Sequence, residues 1–570
     1  MNIFSKIKKE ILQFLVSNFE VDLRDIPVNL DSIHSDISTT AAFLCAKQLN
    51  QSVKACADVI SDHVRTLQDV ENVIVSDKGF INITIKIDSW HKELKNIATN
   101  DLSYLHPVLS QGNKVNVEYV SANPTGPLHV GHARGAVYGD VLSNAMKVCG
   151  FAVTREYYVN DFGNQVNILV SSILSRYKNI ALSTNDPIGE GLYPGEYLIP
   201  VAQSLYDIYG DKLLDLADIP DDVKRLCIDE MLRIIKNDLH SLGVKHDVFF
   251  FESSLHKAHV TDDLISYLVE KSLVYVGSLN KPKGHVVDED YEQNQPQLLF
   301  ASSKFGDSQD RTVKKSNGDF TYFGSELAYI KKKVSEGFND LVVVLGADHV
   351  GYVKRMKGAV TALGEGKAKI DVALTQMVKY LKNGVLMPMS KRQGVFASVG
   401  ELVKLVGKDA IRFMMLSIRH DVELTFDIEK VNEYSSDNPV FYINYAYARS
   451  CSVLGKIKKE RQLYSEMDES LGRLILSEEI LLIRKLSSWP QVLENVVLKK
   501  EPHKIVSYLY TLAKEFHALW NLRDDKGQSY RFIVHEDLSL TCARSYLLNG
   551  VKNVIKDGCN VMGVTPMERM

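Results

Sequence analysis

Residues 115–140, VNVEYVSANPTGPLHVGHARGAVYGD, constrain the fold of this chain more than any other segment. They begin with an apolar run of strand length at 115–120, pass through a loop that contains prolines, glycines and two histidines, and enter a helical pattern at about 131–149. TREYYVND at 154–161 follows as a second strand candidate. Strand, helix and strand in this order predict a β–α–β unit, and therefore a parallel sheet that helices cover.

The same alternation returns far along the chain, at LVVVLGADHVGYVKRMKGAVTAL (341–363). Its first part is an almost continuous apolar run, as is typical of a central strand in a parallel sheet. KIDVALTQMVKYL (369–381) is a further strand candidate. Between the two α/β segments the pattern is less regular, with a helix predicted over 221–242 and a polar patch at 288–296. This irregular stretch indicates an insertion between two halves of one sheet.

The two ends of the chain follow other patterns. The first hundred or so residues combine helical runs with two strand candidates, VENVIVSD and GFINITIKI, which predicts a small α+β domain. After about residue 431, four helical runs with short connections predict an all-α bundle. The chain is therefore predicted to be a multidomain α/β protein, with an N-terminal α+β domain at 1–110, the first half of a Rossmann-like parallel-sheet domain at 111–175, an insertion at 176–320, the second half at 321–430 and a helical bundle at 431–570.

Composition excludes several classes of protein. The 570 residues are 45% apolar and 24% charged, which is ordinary for a water-soluble globular protein. No apolar run reaches the length of about 18 residues that a membrane span needs. Seven scattered cysteines without a CxxC pair predict neither a disulfide framework nor a zinc site, and favour reduced thiols in the cytoplasm. A formal charge of −4 gives no overall attraction to nucleic acid, so any such contact must use local basic faces.

The two histidines of the first segment, His129 and His132, are candidates for binding phosphate. They lie after the carboxyl end of a predicted parallel strand, where open α/β sheets bind ligands. Gly131 leaves room for a purine ring against the backbone, and the helix that follows offers free N–H groups to phosphate oxygens. Both imidazoles can donate hydrogen bonds to a phosphate on which charge develops. Taken alone, HxGH is at least as often a pair of surface histidines beside a turn.

A second segment, MSKRQG at 389–394, favours the phosphate-binding interpretation of the histidines. Lys391 lies in a polar loop between Gly384 and Gly394, so it can move towards a triphosphate and neutralise charge as pyrophosphate leaves. An isolated Ser-Lys pair is usually only a solvated surface feature. Both segments on one α/β framework, in this order, predict a site that holds ATP and promotes attack on its α-phosphate.

These residues carry a family resemblance. HVGH and MSKR resemble the two signatures of class I aminoacyl-tRNA synthetases. The finer match is to arginyl-tRNA synthetases, and it extends over essentially the whole chain. The matching segments are residues 115–140, YVNDFGNQV (158–166), NPVFYINYAYAR (438–449), GFIN (79–82) and the terminal MERM.

The resemblance implies a ligase that activates L-arginine with ATP and transfers it to the 3′ end of tRNA(Arg). It implies Mg²⁺ with the triphosphate, no zinc, anticodon reading by the helical bundle and contact of the first domain with the tRNA elbow. We expect the protein to be cytoplasmic and to have no membrane association. We also expect a monomer, because no exposed heptad seam indicates a dimer.

The resemblance also assigns site residues. A guanidinium needs a carboxylate for paired hydrogen bonds and an aromatic face for stacking, which agrees with the tyrosine and the acid in DFTYFGSELAY. The expected catalytic residues are His129, His132 and Lys391; the ATP-binding residues are His129, Gly131, His132, Met389, Ser390 and Lys391; the arginine-binding residues are Ser121, Asn123, Tyr322, Glu326 and Asp348; and the tRNA-binding residues are Tyr442, Tyr445 and Arg449.

The chain departs from the family pattern at four positions. Glu326 stands where an aspartate is usual, Asp348 where many relatives have glutamine, and Tyr158 where histidine is frequent. Pro388 replaces a lysine that often begins the second signature. We assign no role to Tyr158. Aromatic residues at helical spacing are more often core than RNA contacts, so about two in three of those in the bundle are expected to be buried.

Two other functions fit parts of the pattern. A nucleotidyltransferase could share the HxGH site, but it would not explain the helical C-terminal region. A non-catalytic RNA-binding relative would be expected to have lost His129, His132 or Lys391, and all three are present. A cysteinyl-tRNA synthetase is disfavoured because the cysteines and histidines do not cluster.

Overall fold

The computed structural model describes the chain except for residues 1, 20, 24, 31–34, 101, 215–217, 258–259, 280–294, 319, 388–396, 432, 434–437 and 460–469. The chain forms two compact units. One unit is the continuous segment Ser110–Asn432, and the other joins Met1–Leu109 to Glu433–Met570. No helix in the described part of the chain is both long and apolar enough to cross a membrane.

The N-terminal segment is an α+β structure. Its elements are α1 (Ile3–Phe19), β1 (Val28–Leu30), β2 (Ile37–Thr39), α2 (Ala41–Leu49), α3 (Val53–Arg65), β3 (Val70–Val75), β4 (Ile81–Ile85) and α4 (Ile87–Thr99). The strands form an antiparallel sheet in the order β1–β2–β4–β3. Both strand candidates of this segment are confirmed. Gly79, in the turn between them, has φ +88, and a Cβ there would lie 2.4 Å from Cγ1 of Val53, so the turn requires glycine.

The middle unit is the predicted α/β region. Its elements are β5 (Lys114–Glu118), α5 (Val130–Val148), β6 (Ala152–Val159), α6 (Asn164–Ala181), α7 (Ile199–Tyr209), α8 (Asp221–Ser241), β7 (Val248–Phe251), α9 (Ser253–Lys257), α10 (Val260–Glu270), β8 (Val274–Gly277), β9 (Gln297–Phe300), β10 (Arg311–Lys314), α11 (Tyr322–Ser335), β11 (Asp340–Gly346), α12 (Tyr352–Leu363), β12 (Lys369–Thr375), β13 (Val378–Lys382), β14 (Val385–Leu386), α13 (Val399–Val406), α14 (Lys408–Met415), β15 (Leu424–Asp427) and α15 (Ile428–Val431).

Five parallel strands form the main sheet, in the order β12–β11–β5–β6–β7. The first strand of this sheet in the chain, β5, therefore lies at its centre. Strands β6 and β7 follow on one side of β5, and β11 and β12 lie on the other side. The strand order reverses between β5 and β11, and open α/β sheets bind ligands beyond the carboxyl ends of strands at such a reversal. The inner strands are buried on both faces, as the apolar runs predict, with Val115, Val117, Val342 and Val343 all 3% exposed or less.

The structure refines three predictions for this unit. The helix expected at 131–149 is confirmed as α5, and that at 221–242 as α8. The single strand candidate at 369–381 is two strands, β12 and β13, which belong to different sheets. The main sheet also contains β7, which lies in the stretch predicted to be an insertion. The sequence did not reveal this strand, because its apolar run, VFFF, is only four residues long. The polar patch at 288–296 lies almost wholly outside the described residues.

Two small sheets complete the middle unit. Strands β8, β9 and β10 form an antiparallel sheet in the order β10–β9–β8. The other, in the order β14–β13–β15, pairs β13 with β15 in parallel and with β14 in antiparallel, and we call it the platform sheet. Residues 388–396 follow its strand β14 in the chain.

The C-terminal segment is helical, as predicted, and its described residues contain α16 (Pro439–Lys459), α17 (Ser477–Ser487), α18 (Trp489–Lys499), α19 (His503–Trp520) and α20 (Leu538–Met562). There are five helices because the run expected to be one helix divides at Ser488. Pro490 opens α18, and a proline belongs in the first turn of a helix, not in its interior. Within the same unit α20 packs on α4, where Nδ2 of Asn553 donates to the carbonyl oxygen of Ile97 at 3.0 Å.

Candidate active site

The chain leaves β5 through a strained turn at the carboxyl end of the sheet. Val120 and Ser121 have φ values of +71 and +37, a region that β-branched residues such as valine rarely enter. Neighbouring contacts hold this conformation. Oγ of Ser121 accepts a hydrogen bond from the backbone N–H of Tyr158 at 3.0 Å, and the hydroxyl of Tyr157 donates to the carbonyl of Ala122 at 2.6 Å. Strain that neighbours enforce is typical of functional sites, and here it turns the following loop over the edge of the sheet.

His129 and His132 form a reciprocal cap at the start of α5. Nδ1 of His129 accepts from the backbone N–H of Gly131, and Nδ1 of His132 accepts from the backbone N–H of His129, both at 3.2 Å. The two rings stack with centroids 3.8 Å apart. Because both Nδ1 atoms accept, each neutral ring carries its proton on Nε2. The cap therefore orients two Nε2–H donors at the beginning of the helix.

Gly131 leaves space for this stacked arrangement. A Cβ at position 131 would lie 3.0 Å from both Cε1 and Nδ1 of the His129 ring, closer than side chains normally approach. The sequence led us to expect that the glycine leaves room for a purine. The structure adds that it leaves room for the imidazole of the cap.

Three other segments hold the histidine loop in place. The hydroxyl of Tyr197 donates to the carbonyl of Thr125 at 2.9 Å. Oδ2 of Asp238, on α8, accepts from the backbone N–H of Leu128 at 2.9 Å. The third segment follows residues 388–396: Ser398 forms a β-bridge with His129, and the N–H of Val399 donates to the carbonyl of Leu128 at 2.8 Å.

Sequence reasoning missed these supports. Ser398 was open to prediction, because SVGE at 398–401 is a capping-box sequence and the structure shows that box at the start of α13. Tyr197 and Asp238 had no local signal, since their partners lie 72 and 110 positions away in the chain.

The second signature falls on residues that the structure does not describe. Met389, Ser390, Lys391 and Pro388 all lie within 388–396, so their predicted roles stay predictions. Ser398, however, lies against His129.

Tyr322 and Glu326 lie one turn apart at the start of α11, which Thr321 caps. Tyr322 is 59% exposed, and its hydroxyl approaches Gly163, where a Cβ would lie 3.6 Å from it. Glu326 is partly buried, and within the described residues no donor forms a hydrogen bond to it. Burial raises the pKa of Glu326 to about 7, and the nearby guanidinium of Arg355 opposes the shift. A second guanidinium beside this carboxyl would favour its charged form.

A buried polar network lies beneath this carboxyl. Nζ of Lys333 pairs with Oε2 of Glu118 at 2.7 Å and lies 3.7 Å from Oε1 of Glu156. The hydroxyl of Tyr329 donates to both carboxylates. Nδ2 of Asn116 donates to Oε2 of Glu156 at 2.6 Å. One lysine therefore faces two buried carboxylates, which leaves negative charge close to Glu326.

Tyr158 adds a further acid to this group. Burial, together with the nearby Glu252 and Glu118, raises the pKa of Tyr158 far above its ordinary value, so its hydroxyl stays protonated and bonds to Glu252. Burial also raises the pKa of Glu252 to about 7. We had assigned Tyr158 no role, whereas its hydroxyl bonds to Glu252 and its ring centroid lies 4.9 Å from that of Tyr329, so it is part of this buried group. The signal for the network was available in the sequence, because charged residues inside a buried strand, such as Glu118 and Glu156, need partners.

The remaining predicted arginine ligands differ in their surroundings. Nδ2 of Asn123 donates to Oε1 of Gln165 at 2.7 Å, next to the strained turn. Asp348 follows β11, is largely exposed and lies 3.5 Å from Nε2 of His349. Asp161 accepts hydrogen bonds from the backbone N–H and the hydroxyl of Ser253, so it supports the chain after β7.

The predicted RNA-binding residues belong to a cluster on α16 and α19. The guanidinium carbon of Arg449 lies 4.0 Å from the ring centroid of Tyr445 and 4.6 Å from that of Trp520. The ring of Tyr442 lies 4.6 Å from His517, whose pKa burial lowers to about 4.

Fewer aromatics of this region are buried than we expected. This expectation concerned five aromatic residues of α16 and α19: Tyr447 and Phe516 are buried, and Tyr442, Tyr445 and Trp520 are partly exposed. The expectation that about two in three are core was therefore wrong. The guanidinium of Arg449 lies over the ring faces of Tyr445 and Trp520.

The five-stranded parallel sheet, its reversal beside β5 and the HxGH loop at that point are the features expected of a class I aminoacyl-tRNA synthetase. Three family models agree and match successive parts of the chain. They are the arginyl tRNA synthetase N terminal domain (residues 2–85), the class I (R) tRNA synthetase catalytic domain (residues 93–193) and the DALR anticodon binding domain (residues 443–570).

Relatives identify the member of the class. Arginine–tRNA ligases of Rickettsia bellii and Rickettsia conorii are 44% and 42% identical to this chain, and the alignments cover 100% of each protein. The solved arginyl-tRNA synthetase of Thermus thermophilus is 17% identical, covers 100% of both chains with a TM-score of 0.76, and shows the same fold. The chain belongs to the arginine–tRNA ligases, which are ligases that use ATP to charge tRNA with arginine.

Proposed function

We propose that the site beside His129 performs both steps of this charging reaction. In the first step a carboxylate oxygen of L-arginine attacks the α-phosphorus of ATP, forming arginyl-adenylate and releasing pyrophosphate. In the second step the hydroxyl of the 3′-terminal ribose of tRNA(Arg) attacks the arginyl carbonyl, forming the ester and releasing AMP. Neither step needs a covalent intermediate with the protein, so positioning and charge stabilisation provide the catalysis.

The phosphate side of the site is the histidine cap. The Nε2–H groups of His129 and His132 donate to phosphate oxygens as charge develops at the α-phosphorus, and Gly131 lets the nucleotide approach the backbone. Lys391, with Met389 and Ser390 beside it in the chain, neutralises the departing pyrophosphate. The reciprocal cap supports this proposal most strongly, because it orients two neutral donors that need no reorganisation during the reaction.

Mg²⁺ enters with the triphosphate as part of the substrate. Among the described residues no three His, Cys, Asp or Glu side chains cluster as metal ligands. Mg²⁺ commonly binds through substrate phosphates and water, so a dedicated protein cage is not required.

The arginine side of the site is formed by Tyr322 and Glu326. The ring of Tyr322 stacks on the guanidinium, and the carboxylate of Glu326 receives two of its N–H groups. Ser121 and Asn123 lie beside the strained turn, where the α-amino and carboxylate groups of arginine must meet ATP. Asp348 is exposed after β11 and contacts the substrate amine or the ribose.

The helical C-terminal residues, 431–570, are proposed to read the anticodon. The partly exposed rings of Tyr442 and Tyr445 stack on splayed bases, and Arg449 contacts phosphate. Residues 1–110 contact the tRNA elbow, residues 111–175 and 321–430 carry the chemistry, and residues 176–320 separate its two halves. We propose that the protein acts as a cytoplasmic monomer.

Amino-acid-dependent exchange between ATP and pyrophosphate tests the proposal. Full-length protein with cognate tRNA is expected to catalyse exchange with arginine and not with lysine, citrulline or cysteine. Exchange with another amino acid but not with arginine would reject the assigned specificity. Exchange that needs no amino acid would favour a nucleotidyltransferase.

A further inference from the structure

A buried histidine joins the two helices that carry the predicted RNA-binding residues. His517 lies on α19 and is 4% exposed. Its Nε2 lies 3.3 Å from the carbonyl oxygen of Tyr442, and its Nδ1 lies 3.4 Å from Nη1 of Arg449. Both partners belong to α16. One imidazole therefore contacts the backbone and a charged side chain of the neighbouring helix.

The chemistry of the two partners fixes the tautomer of His517. A carbonyl oxygen can only accept a hydrogen bond, so Nε2 carries the proton and donates to Tyr442. A guanidinium can only donate, so Nδ1 accepts from Arg449. Burial, assisted by the charge of Arg449, lowers the pKa of His517 to about 4, so the ring is neutral near pH 7. His517 thus presents a lone pair, and no charge, to the arginine.

The guanidinium of Arg449 is held from several sides but has no acidic partner. Its carbon lies 4.0 Å from the ring centroid of Tyr445 and 4.6 Å from that of Trp520. Nη2 donates to the hydroxyl of Tyr445, and Nη1 donates to His517. In the part of the chain that the structure describes, no carboxylate forms an ion pair with Arg449. Its positive charge and three of its five N–H groups therefore remain for an anion.

An arginine held in this way can bind an anion at a lower entropic cost. A free arginine side chain loses many rotamers when it binds, whereas a guanidinium that two rings and an acceptor already hold has less freedom to lose. The acceptor must also be neutral, because a carboxylate would cancel the charge that a phosphate requires. Three exposed lysines at positions 456, 458 and 459 follow on the same helix, which favours a polyanion such as RNA as the ligand.

We propose that His517 is a positioning residue for tRNA binding: the lone pair of its Nδ1 holds the guanidinium of Arg449 in the orientation that meets a phosphate of the bound RNA. The proposal rests on the role given to Arg449 in the proposed function. His517 itself is buried and contacts no nucleotide. Its loss is expected to weaken the binding of tRNA and to leave the rate of charging at saturating tRNA unchanged.

The test compares His517→Phe with His517→Asn in the full-length protein. Phenylalanine keeps a flat ring of similar size but has no acceptor, whereas asparagine is smaller but places Oδ1 where Nδ1 was. The Kd of a labelled tRNA(Arg) transcript is expected to rise about tenfold in His517→Phe, because a hydrogen bond to a charged group is lost, and to stay within about threefold in His517→Asn. In both variants kcat for aminoacylation at saturating tRNA is expected to stay within about twofold.

A purely structural role of His517 predicts the opposite order of the two variants. Phenylalanine fills the buried site, whereas asparagine leaves a cavity, so Tm is expected to fall further in His517→Asn. The matched control is His503→Phe, because His503 is also a buried histidine of α19 and lies about four turns before His517. This control is expected to leave the Kd for tRNA(Arg) within about twofold.

Arg449→Gln links the effect to the arginine. It removes one charge, so the Kd is expected to rise about tenfold, and the slope of log Kd against log salt concentration to fall by about 0.7–0.9. If His517 acts through Arg449, adding His517→Phe to Arg449→Gln is expected to weaken binding no further. Losses that multiply fully in this double variant would contradict the proposal.

Two other results would overturn it. One is a Kd of His517→Phe that equals the wild-type value, and the other is a Kd of His517→Asn that exceeds that of His517→Phe. Arg449→Gln separates this inference from the proposed function. An unchanged Kd and salt slope in Arg449→Gln would reject the proposed role of Arg449 itself, whereas a clear effect there with an unaffected His517→Phe would reject only this inference.

Discussion

The proposed phosphate side of the site has neutral donors held by backbone caps, whereas the proposed arginine side has buried carboxylates that come from distant segments. The rings of His129 and His132 are held by hydrogen bonds from backbone N–H groups no more than three residues away. Glu118 on β5 and Lys333 on α11 lie 215 positions apart in the chain, and they pair at 2.7 Å. The difference follows from the ligands. Phosphate needs oriented N–H groups, which a helix start provides locally, and a guanidinium needs surplus negative charge, which only several segments together can bury.

The largest effect is expected where the buried charge balance of the arginine side is broken. Lys333→Met leaves Glu118 and Glu156 without their common cation, and loss of one partner from a buried ion pair typically costs about 3–5 kcal/mol. Lys332→Met is the matched control, because that exposed lysine pairs with Glu336 on the same helix and its loss costs about 0.5 kcal/mol or less. Urea unfolding measures both free energies. Equal costs would show that the buried network does not depend on its lysine.

On the phosphate side, a substitution is expected to lower the activation rate much more than it lowers the free energy of unfolding. In His129→Asn, asparagine still caps α5 but has no imidazole Nε2–H, so the activation rate is expected to fall about 100-fold while the free energy of unfolding changes by about 1 kcal/mol or less. Pre-steady-state formation of arginyl-adenylate gives the rate. The exposed His240→Asn provides a control for the substitution itself. Loss of folding and of activity in equal proportion would mean that His129 acts only as a cap.

Glu326→Gln should affect arginine selectively. The neutral amide keeps the size of the side chain but loses the charge that the guanidinium needs, so KM for arginine is expected to rise about tenfold or more and KM for ATP to stay within about twofold. Glu336→Gln, at the exposed end of the same helix, should change neither constant. An equal rise of both KM values would contradict the assignment of Glu326 to the guanidinium.

A smaller effect concerns pH. Burial raises the pKa of Glu326 to about 7, and arginine binds to the ionised form, so KM for arginine is expected to fall as pH rises through about 7 and to level off above it. KM falls with rising pH because the carboxyl of Glu326 must lose its proton before it can bind the arginine cation. Glu252, whose pKa burial also raises to about 7, can add to the slope, and Glu326→Gln should remove the Glu326 share of it. A KM that rises with pH over this range would contradict the role of Glu326 as the anionic partner.

The same contrast explains what the sequence could predict. The β–α–β units, the HxGH loop at the start of a helix and the helical C-terminal region depend on neighbours in the chain, and all were predicted, although the histidine cap itself was not. Arg134 was part of the quoted motif, but its side chain donates to the backbone carbonyls of Gln376 and Arg419, which lie 242 and 285 positions away, so these contacts had no local signal. The same reason applies to Asp238 and Tyr197. The strand β7 was missed because four apolar residues are too few to distinguish a buried strand from a loop.

A structure of the full chain with L-arginine and a non-hydrolysable ATP analogue tests the central claim most directly. The account predicts Nε2 of His129 and His132 at hydrogen-bonding distance, about 3 Å, from phosphate oxygens, with Nζ of Lys391 at similar range on the other side of the same triphosphate. A triphosphate bound by the histidines while Lys391 lies more than about 10 Å away, beyond effective electrostatic reach in salt, would contradict it.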